Sequence, residues 1–319
     1  MVTLHGYQPP KRTLWQGRRD GGGVLRVHEA IQCINVHAGL ALAPRSVVLI
    51  GFCCDEGIRR NSGRPGAKEG PDAWRKALAD MPLPEYFQRP LIDVGDITCP
   101  DGNLENAQKA LGELVALVLT NHAFPIVCGG GHEVAWGQFQ GISQVGRADN
   151  LAIVNFDAHY DLRPLLSGNL GSSGTSFTQI AADQKQHGKP FYYACIGLQP
   201  LSNTAALHLK ARECEALVID AEDINHAFEE LQHLLEMTEN HYLTICMDVF
   251  AAPYAPGVSA PQPLGITPHE FVPILRHLAS DEKLIACNFA ELSPVLDRDG
   301  LTARLVAALT LELISHLPN

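Results

Sequence analysis

Positive charge is in short supply in this chain. Its 24 lysines and arginines face 35 aspartates and glutamates, for a formal net charge of -11. Nucleic acids are held largely through phosphate contacts from lysine and arginine, and no basic cluster offsets the acidic balance, so a nucleic-acid partner is excluded. Nowhere do about 18 apolar residues run together, so no membrane-spanning helix is expected. The first 23 residues are polar, carry Lys11, Arg12, Arg18 and Arg19, and lack the apolar stretch of a signal peptide. A soluble, cytoplasmic protein is expected. A disulfide framework is missing as well. The nine cysteines (Cys33, Cys53, Cys54, Cys99, Cys128, Cys195, Cys214, Cys246 and Cys287) are odd in number and show no C-x-x-C spacing. Several fall inside apolar runs, where a reduced cysteine behaves as a small hydrophobe. Eight read as structural thiols; Cys246 stands apart. No repeat, low-complexity tract or long linker divides the 319 residues, and a 46% hydrophobic content can fill the core of one large domain spanning 1–319.

Apolar runs alternate with helical patterns. Strands are expected at Val47–Cys53, Leu91–Val94, Pro125–Cys128, Leu151–Phe156, Phe191–Ile196, Ala216–Ile219, Tyr242–Val249 and Leu284–Phe289. Between and after them, Leu104–Asn121, Glu133–Val145, Glu222–Glu239, Pro268–Ala279 and Thr302–Leu317 carry helical spacing or composition. Continuous apolar strands alternating with helices imply an α/β fold whose mainly parallel sheet is covered on both faces. Ligands of such sheets bind outside the carboxyl ends of the strands.

Three segments put metal-competent groups at that edge. Asp157, His159 and Asp161 occupy alternate positions directly after Leu151-Ala152-Ile153-Val154, so an extended chain would bring them to one point. Gly129-Gly130-Gly131 allows a tight backbone turn and delivers His132 where a helix begins. Cys246 and Asp248 share a face if Leu243–Val249 is extended. Taken singly, His132 reads equally well as a helix-start histidine, Asp248 could be a buried carboxylate satisfied by backbone, and the triplet, more readily a ligand set, could be a solvated loop. Together they favour a divalent metal such as manganese or zinc. Loops at the same edge, Asp55–Gly70, Ser167–Thr178 and Pro253–Pro263, are rich in glycine, proline or serine. The first carries Arg59, Arg60 and Arg64, suited to an anionic small-molecule substrate, although solvated arginines would read the same way.

The blocks Gly129-Gly130-Gly131-His132-Glu133, Asp157-Ala158-His159-Tyr160-Asp161 and Cys246-Met247-Asp248 resemble the three signature segments of the ureohydrolases. That family includes arginases, agmatinases and formimidoylglutamases, and the last branch is the nearest likeness. Supporting text includes Leu14-Trp15-Gln16-Gly17-Arg18, Asp55 to Asn61, Gly63-Arg64-Pro65-Gly66-Ala67, Ser173-Gly174-Thr175-Ser176-Phe177, Tyr193 to Gly197, Ala255 to Pro261 and Asp297 to Leu305. The resemblance implies a three-layer α/β/α arginase-like fold, two Mn²⁺ ions per subunit, and hydrolysis of N-formimidoyl-L-glutamate to glutamate and formamide by metal-activated water. By position, His132 and Asp161 would hold one metal, His159 and Asp248 the other, and Asp157 would bridge them. Asp157, Asp248 and Glu291 would carry catalysis, Glu291 holding the cationic nitrogen group. Arg59, Arg60, Asn61, Arg64, Arg163, Ser173 and Asn203 would surround the substrate. Members of the family often form homo-oligomers.

The sequence departs from that pattern at three positions. Cys246 stands where a bridging aspartate is expected, Pro200 where an arginine is, and Asn288 where an aspartate is, three residues before Glu291. Thiolate is a soft ligand and matches manganese poorly. A mononuclear, zinc-type hydrolase of altered substrate and a non-catalytic binding protein are the alternatives these departures raise.

Overall fold

The computed structural model describes residues 4–21, 23 and 26–318. Residues 1–3, 22, 24, 25 and 319 lie outside the described ones, so the expectations for the polar first 23 residues and for one domain over 1–319 fall partly there. Ten strands are present: β1 Tyr7–Gln8, β2 Gln32–Cys33, β3 Val47–Cys53, β4 Leu91–Thr98, β5 Phe124–Cys128, β6 Leu151–Phe156, β7 Tyr192–Leu198, β8 Leu217–Asp220, β9 Asn240–Cys246 and β10 Leu284–Ala290. The helices are α1 Val27–Ala30, α2 Glu56–Arg60, α3 Gly70–Ala79, α4 Leu104–Thr120, α5 Val134–Gln144, α6 Ser176–Gln186, α7 Ala205–Glu213, α8 Ala227–Met237, α9 Pro268–Ala279 and α10 Leu301–His316.

The strands form one sheet in the order β1-β4-β3-β5-β10-β9-β6-β7-β8, with β2 also paired to β4. Among the described strands only β1 pairs antiparallel. Side chains alternate between faces with period two. Val47 and Leu49 therefore join one apolar layer, with α3, α9 and α10, while Val48, Ile50 and Phe52 join the other, with α4 and α5. The same split divides Leu243 and Ile245 from Tyr242, and Cys287 and Phe289 from Ala286 and Ala290. The result is a three-layer α/β/α arrangement with a mostly parallel sheet between two cores. All nine cysteines are free thiols. Among the described residues no helix is long and apolar enough to cross a membrane.

Several expected elements shift. β9 ends at Cys246, and Met247–Val249 form a 3-10 turn, so the period-two argument that put Cys246 and Asp248 on one strand face does not apply. The chain also leaves extended geometry after Phe156, and Asp161 takes φ +47°, so alternation along a strand is not what brings its triplet together. The helix expected over Glu222–Glu239 begins as a 3-10 segment at Ala221–His226 before α8. Helices α3, α6 and α7 were hidden by glycine, proline and polar residues. The Ser167–Thr178 loop ends early because α6 starts at Ser176.

The candidate metal centre

The four central strands are neighbours in the order β5, β10, β9, β6, and each delivers part of one cluster from its carboxyl end. His132 follows β5, Glu291 follows β10, Cys246 closes β9 with Asp248 just beyond, and Asp157, His159 and Asp161 follow β6. Gly129 and Gly130 take φ +107° and +72° to turn the chain below His132; a Cβ at Gly129 would sit 2.5 Å from Pro71. Asp161 (φ +47°) and Glu291 (φ +67°) are non-glycine residues in left-handed geometry. Such strain gathers where surrounding structure holds a functional side chain in place.

Asp157 is the hub. One carboxylate oxygen lies 2.7 Å from His132 Nδ1 and the other 3.4 Å from His159 Nδ1. Asp161 Oδ2 is 3.0 Å from His132 Nδ1, and Asp248 Oδ2 is 3.1 Å from His159 Nδ1. Donor atoms of His132, Asp157 and Cys246 lie within 4.8 Å of one another, as do those of Asp157, His159 and Asp248. Asp157 belongs to both triples, so the arrangement has room for two cations sharing one carboxylate.

A hydrogen-bond relay fixes the far side of His132. Gln138 Nε2 donates to Cys287 O at 3.1 Å, which leaves Gln138 Oε1 to accept from Asn288 Nδ2 at 3.1 Å. Asn288 Nδ2 also bonds the Tyr242 hydroxyl, which donates to Ala135 O. Asn288 Oδ1 must then accept from Thr244 Oγ1 at 2.9 Å, and Thr244 accepts from His132 Nε2 at 2.8 Å. With the proton placed on Nε2, Nδ1 is directed at Asp157 and Asp161. Partners of this kind orient histidine ligands of metals. Thr244, Gln138 and Tyr242 escaped the sequence reading. Thr244 and Tyr242 left a signal, two and four residues before Cys246 on the same strand face.

The cluster is electrostatically tense. Burial alone would strip protons from the imidazoles, but Asp157 and Asp161 hold His132 up to about 10, and Asp248 with Asp157 holds His159 up to about 12. Burial works against Asp157 too, yet the two imidazoles hold its carboxyl well below the usual range. Burial and the Asp157 charge push Asp161 up to about 6. Glu133, buried beside Gly57 and Gly131, is pushed up to about 7. Glu291 goes well above its ordinary value through burial, then through Asp248 and Glu133. The Cys246 thiol is also pushed up, by burial first and then by Asp157 and Asp248. Asp248 Oδ1 and Glu291 Oε2 are buried with no hydrogen-bond partner among the described residues. Buried carboxylates left in this condition suit a cation or a cationic substrate.

These shifts set a pH dependence. In protein stripped of metal, the imidazoles bind protons more tightly folded than unfolded, where histidine titrates near about 6.5. The folded state then holds the extra protons above that value, so stability falls as pH rises from about 6.5 towards 10. Asp161 and Glu133, also raised, act in the same direction at lower pH. A divalent cation must displace the imidazole protons, so its apparent affinity climbs as pH rises. Urea midpoints of chelated protein and metal titrations, both from about pH 6 to about pH 9, check the two opposite trends. A midpoint rising with pH in chelated protein would contradict this account.

A cavity of about 310 Å³ opens over the cluster. It is lined by His132, His159, Asp161, Cys246, Asp248 and Glu291, and by Asn61, Arg64, Arg163, Ser173, Asn203 and Ser259. Arg59 and Arg60, expected at the substrate, do not line it. Arg60 is spent on Glu56 at 3.1 Å, Glu105 at 2.6 Å and Gly171 O at 3.1 Å, and Arg59 lies 3.7 Å from both Asp55 and Glu56. Arg64 reaches the cavity while binding Val258 O and Ser259 O, both at 2.8 Å. Asn203 is committed to the segment that carries Asp157, His159 and Asp161, through Ala158 O and the Tyr160 N–H, and to Gln199 O in its own loop. Arg163 has no ion pair among the described residues. It lies over Gly174, where a Cβ would meet its Cδ at 2.7 Å.

Comparison with known proteins bears on the fold and the family. The profile of the arginase family matches residues 45–315. A formimidoylglutamase of Legionella pneumophila is 39% identical over 316 residues, covering 98% of either chain. One from Geobacillus thermodenitrificans is 40% identical over 319 residues, covering 97% of either. Among solved structures, a Trypanosoma cruzi formiminoglutamase with Mn²⁺ superposes with a TM-score of 0.77 at 25% identity, over 86% of this chain and 95% of that one. The Bacillus subtilis formimidoylglutamase superposes with a TM-score of 0.80 over 94% of this chain and 95% of that one; at 20% identity it speaks for the fold alone.

Proposed function

The chain belongs to the arginase family, and from that premise we propose that it is a metal-dependent hydrolase cleaving N-formimidoyl-L-glutamate and water to L-glutamate and formamide. The observation that carries this reading is the convergence, in one cavity, of a shared-carboxylate donor cluster, an unpaired buried carboxylate and an uncommitted arginine.

Two imidazoles with Asp157, Asp161 and Asp248 form an oxygen- and nitrogen-rich set that suits manganese. We assign His132 and Asp161 to one ion, His159 and Asp248 to the other, and Asp157 to both. Bound manganese would lower the pKa of a water and so provide the nucleophile. The remaining work falls to side chains. Arg163, with Arg64 beside the same cavity, binds the two carboxylates of the glutamyl part. Glu291 receives the cationic formimidoyl nitrogen, and its carboxyl regains charge as that cation comes alongside. Asn61 donates to Ser173 Oγ at 3.1 Å, which fixes a polar wall against the substrate. We also propose that the subunits associate into a homo-oligomer, as members of this family often do.

Manganese-loaded protein is expected to release formamide from N-formimidoyl-L-glutamate and to leave arginine and agmatine intact. Urea from either of those, or no formamide at all, would overturn the assignment. Arg163→Ala should raise KM by roughly tenfold to 100-fold, the equivalent of about 1.5–3 kcal/mol for a hydrogen bond to a charged group. Arg60→Ala should leave KM nearly unchanged, since Arg60 is tied to Glu56 and Glu105. Equal effects from the two would remove Arg163 from its assigned role.

A further inference from the structure

Cys246 is a thiol in the wrong surroundings for a packing residue. A space-filling cysteine lies among apolar groups, as Cys128 and Cys287 do in the core between strands and helices. Cys246 is only 2% exposed, yet it lines the cavity, and the charges acting on it come from Asp157, Asp248, Glu291 and Asp161. Its sulfur shares a 4.8 Å cluster with His132 and Asp157. The relay through Thr244 and Asn288 directs the free nitrogen of His132 towards that cluster. The second triple, Asp157, His159 and Asp248, differs by one atom type, carrying an oxygen where the first carries sulfur.

We propose that the two metal positions are chemically unlike. Cys246 ligates the cation held by His132 as a thiolate, so that position selects a softer divalent ion, zinc first among them, over manganese. The Asp157–His159–Asp248 position keeps a harder preference. The proposal rests on the metal-hydrolase reading of this site and assigns it an unequal pair. Thiolate favours zinc and similar ions, whereas carboxylate and imidazole alone also accept manganese. A coordinating thiol gives up its proton to solvent as the cation binds, and the cation's charge replaces that proton among the carboxylates. No redox change is involved.

Cobalt(II) is the probe, because a sulfur–cobalt bond adds a charge-transfer absorption in the near ultraviolet that nitrogen and oxygen ligands do not give. Full-length protein is stripped with chelator, loaded with cobalt, and its bound cobalt counted by elemental analysis. The band is expected in the wild type and absent in Cys246→Ser and Cys246→Asp, with circular dichroism showing that both variants fold. Cys246→Ser, nearly isosteric, serves if the aspartate variant fails to fold. In dialysis against equal zinc and manganese, the zinc preference of the wild type should exceed that of Cys246→Asp by at least roughly 10–100-fold, the size of effect that even an outer-shell change has on metal affinity. Bound cobalt without the band, or equal preference in the two proteins, overturns the thiolate assignment and leaves the metal-site reading standing. Failure to bind cobalt at all overturns both.

Discussion

Asp157→Asn is expected to leave the protein folded while it loses its metal, with turnover of formimidoylglutamate down by at least roughly 10²–10³-fold, the range reached when one preorganised electrostatic group is removed from an active site. Asp157 approaches the rings of both His132 and His159, and it accepts the His159 backbone N–H at 2.7 Å. An amide keeps the shape and one acceptor oxygen. Its NH₂ would then face an imidazole nitrogen or a cation, and the negative charge shared by both positions is gone. The backbone role of the residue survives, because its N–H still donates to Ile196 O at 2.9 Å. Asp161→Asn provides the contrast, since Asp161 touches His132 alone among the two imidazoles. It should weaken one metal position and spare the other. Metal content per chain, measured beside kcat for both variants, decides the matter. Full metal content in Asp157→Asn would remove that residue from the centre of the site.

The largest effect on stability lies elsewhere. Arg75 on α3 is 1% exposed and fastens that helix to β4: Nη2 reaches Asp93 Oδ1 at 2.9 Å, Nε reaches Asp93 Oδ2 at 3.0 Å, and Nη1 reaches Asp96 Oδ1 at 2.6 Å. Trp15 donates to the same Asp93 at 2.8 Å. Arg75→Met keeps much of the side chain's length but leaves two buried carboxylates without their cation. Breaking a buried pair in this way costs about 3–5 kcal/mol, a large part of the roughly 5–15 kcal/mol that holds a typical protein folded. The urea midpoint should fall sharply while the slope of the transition stays the same. Adding Asp93→Asn and Asp96→Asn to Arg75→Met should recover part of the loss, because no uncompensated charge then remains. A triple variant no better than the single one would mean that packing of the long side chain, rather than its charge, dominates.

The sheet was legible because buried parallel strands write themselves as unbroken apolar runs. Val47–Cys53 and Leu151–Phe156 have the bounds expected of them. β4 runs on to Thr98 through Gly95, where φ +90° and a register shift against β3 mark an irregularity no period reveals. Helix α3 starts with Gly70 and Pro71 and carries the buried Arg75, features that mask its apolar face. In the candidate site, residue types at strand ends picked out side chains that do converge, but the geometry was read for the wrong reason. Alternation stops at Phe156, and a turn with one left-handed residue brings Asp161 back towards His132. The arginines could not be ranked from sequence, because what separates Arg163 from Arg60 is the position of Glu56 and Glu105. Asn288 looked like a lost charge, and in three dimensions it is the middle link behind His132.

The donors follow β5, β6 and β9, with Glu291 added from β10, four strands that are neighbours in space and far apart along the chain. His132 and Asp157 precede Cys246 and Glu291 by most of the second half of the sequence, yet β10 and β9 insert between β5 and β6. No local segment can gather the cluster by itself. A cation there would act as a rivet through the middle of the sheet, and β9, the latest of its three donor strands in chain order, would complete its hole. During synthesis the centre cannot form until β9 and the Asp248 just beyond it have emerged. In the finished protein, prying apart any pair of those four strands lets the ion go, so retention of metal doubles as a gauge of whether the middle of the sheet is closed.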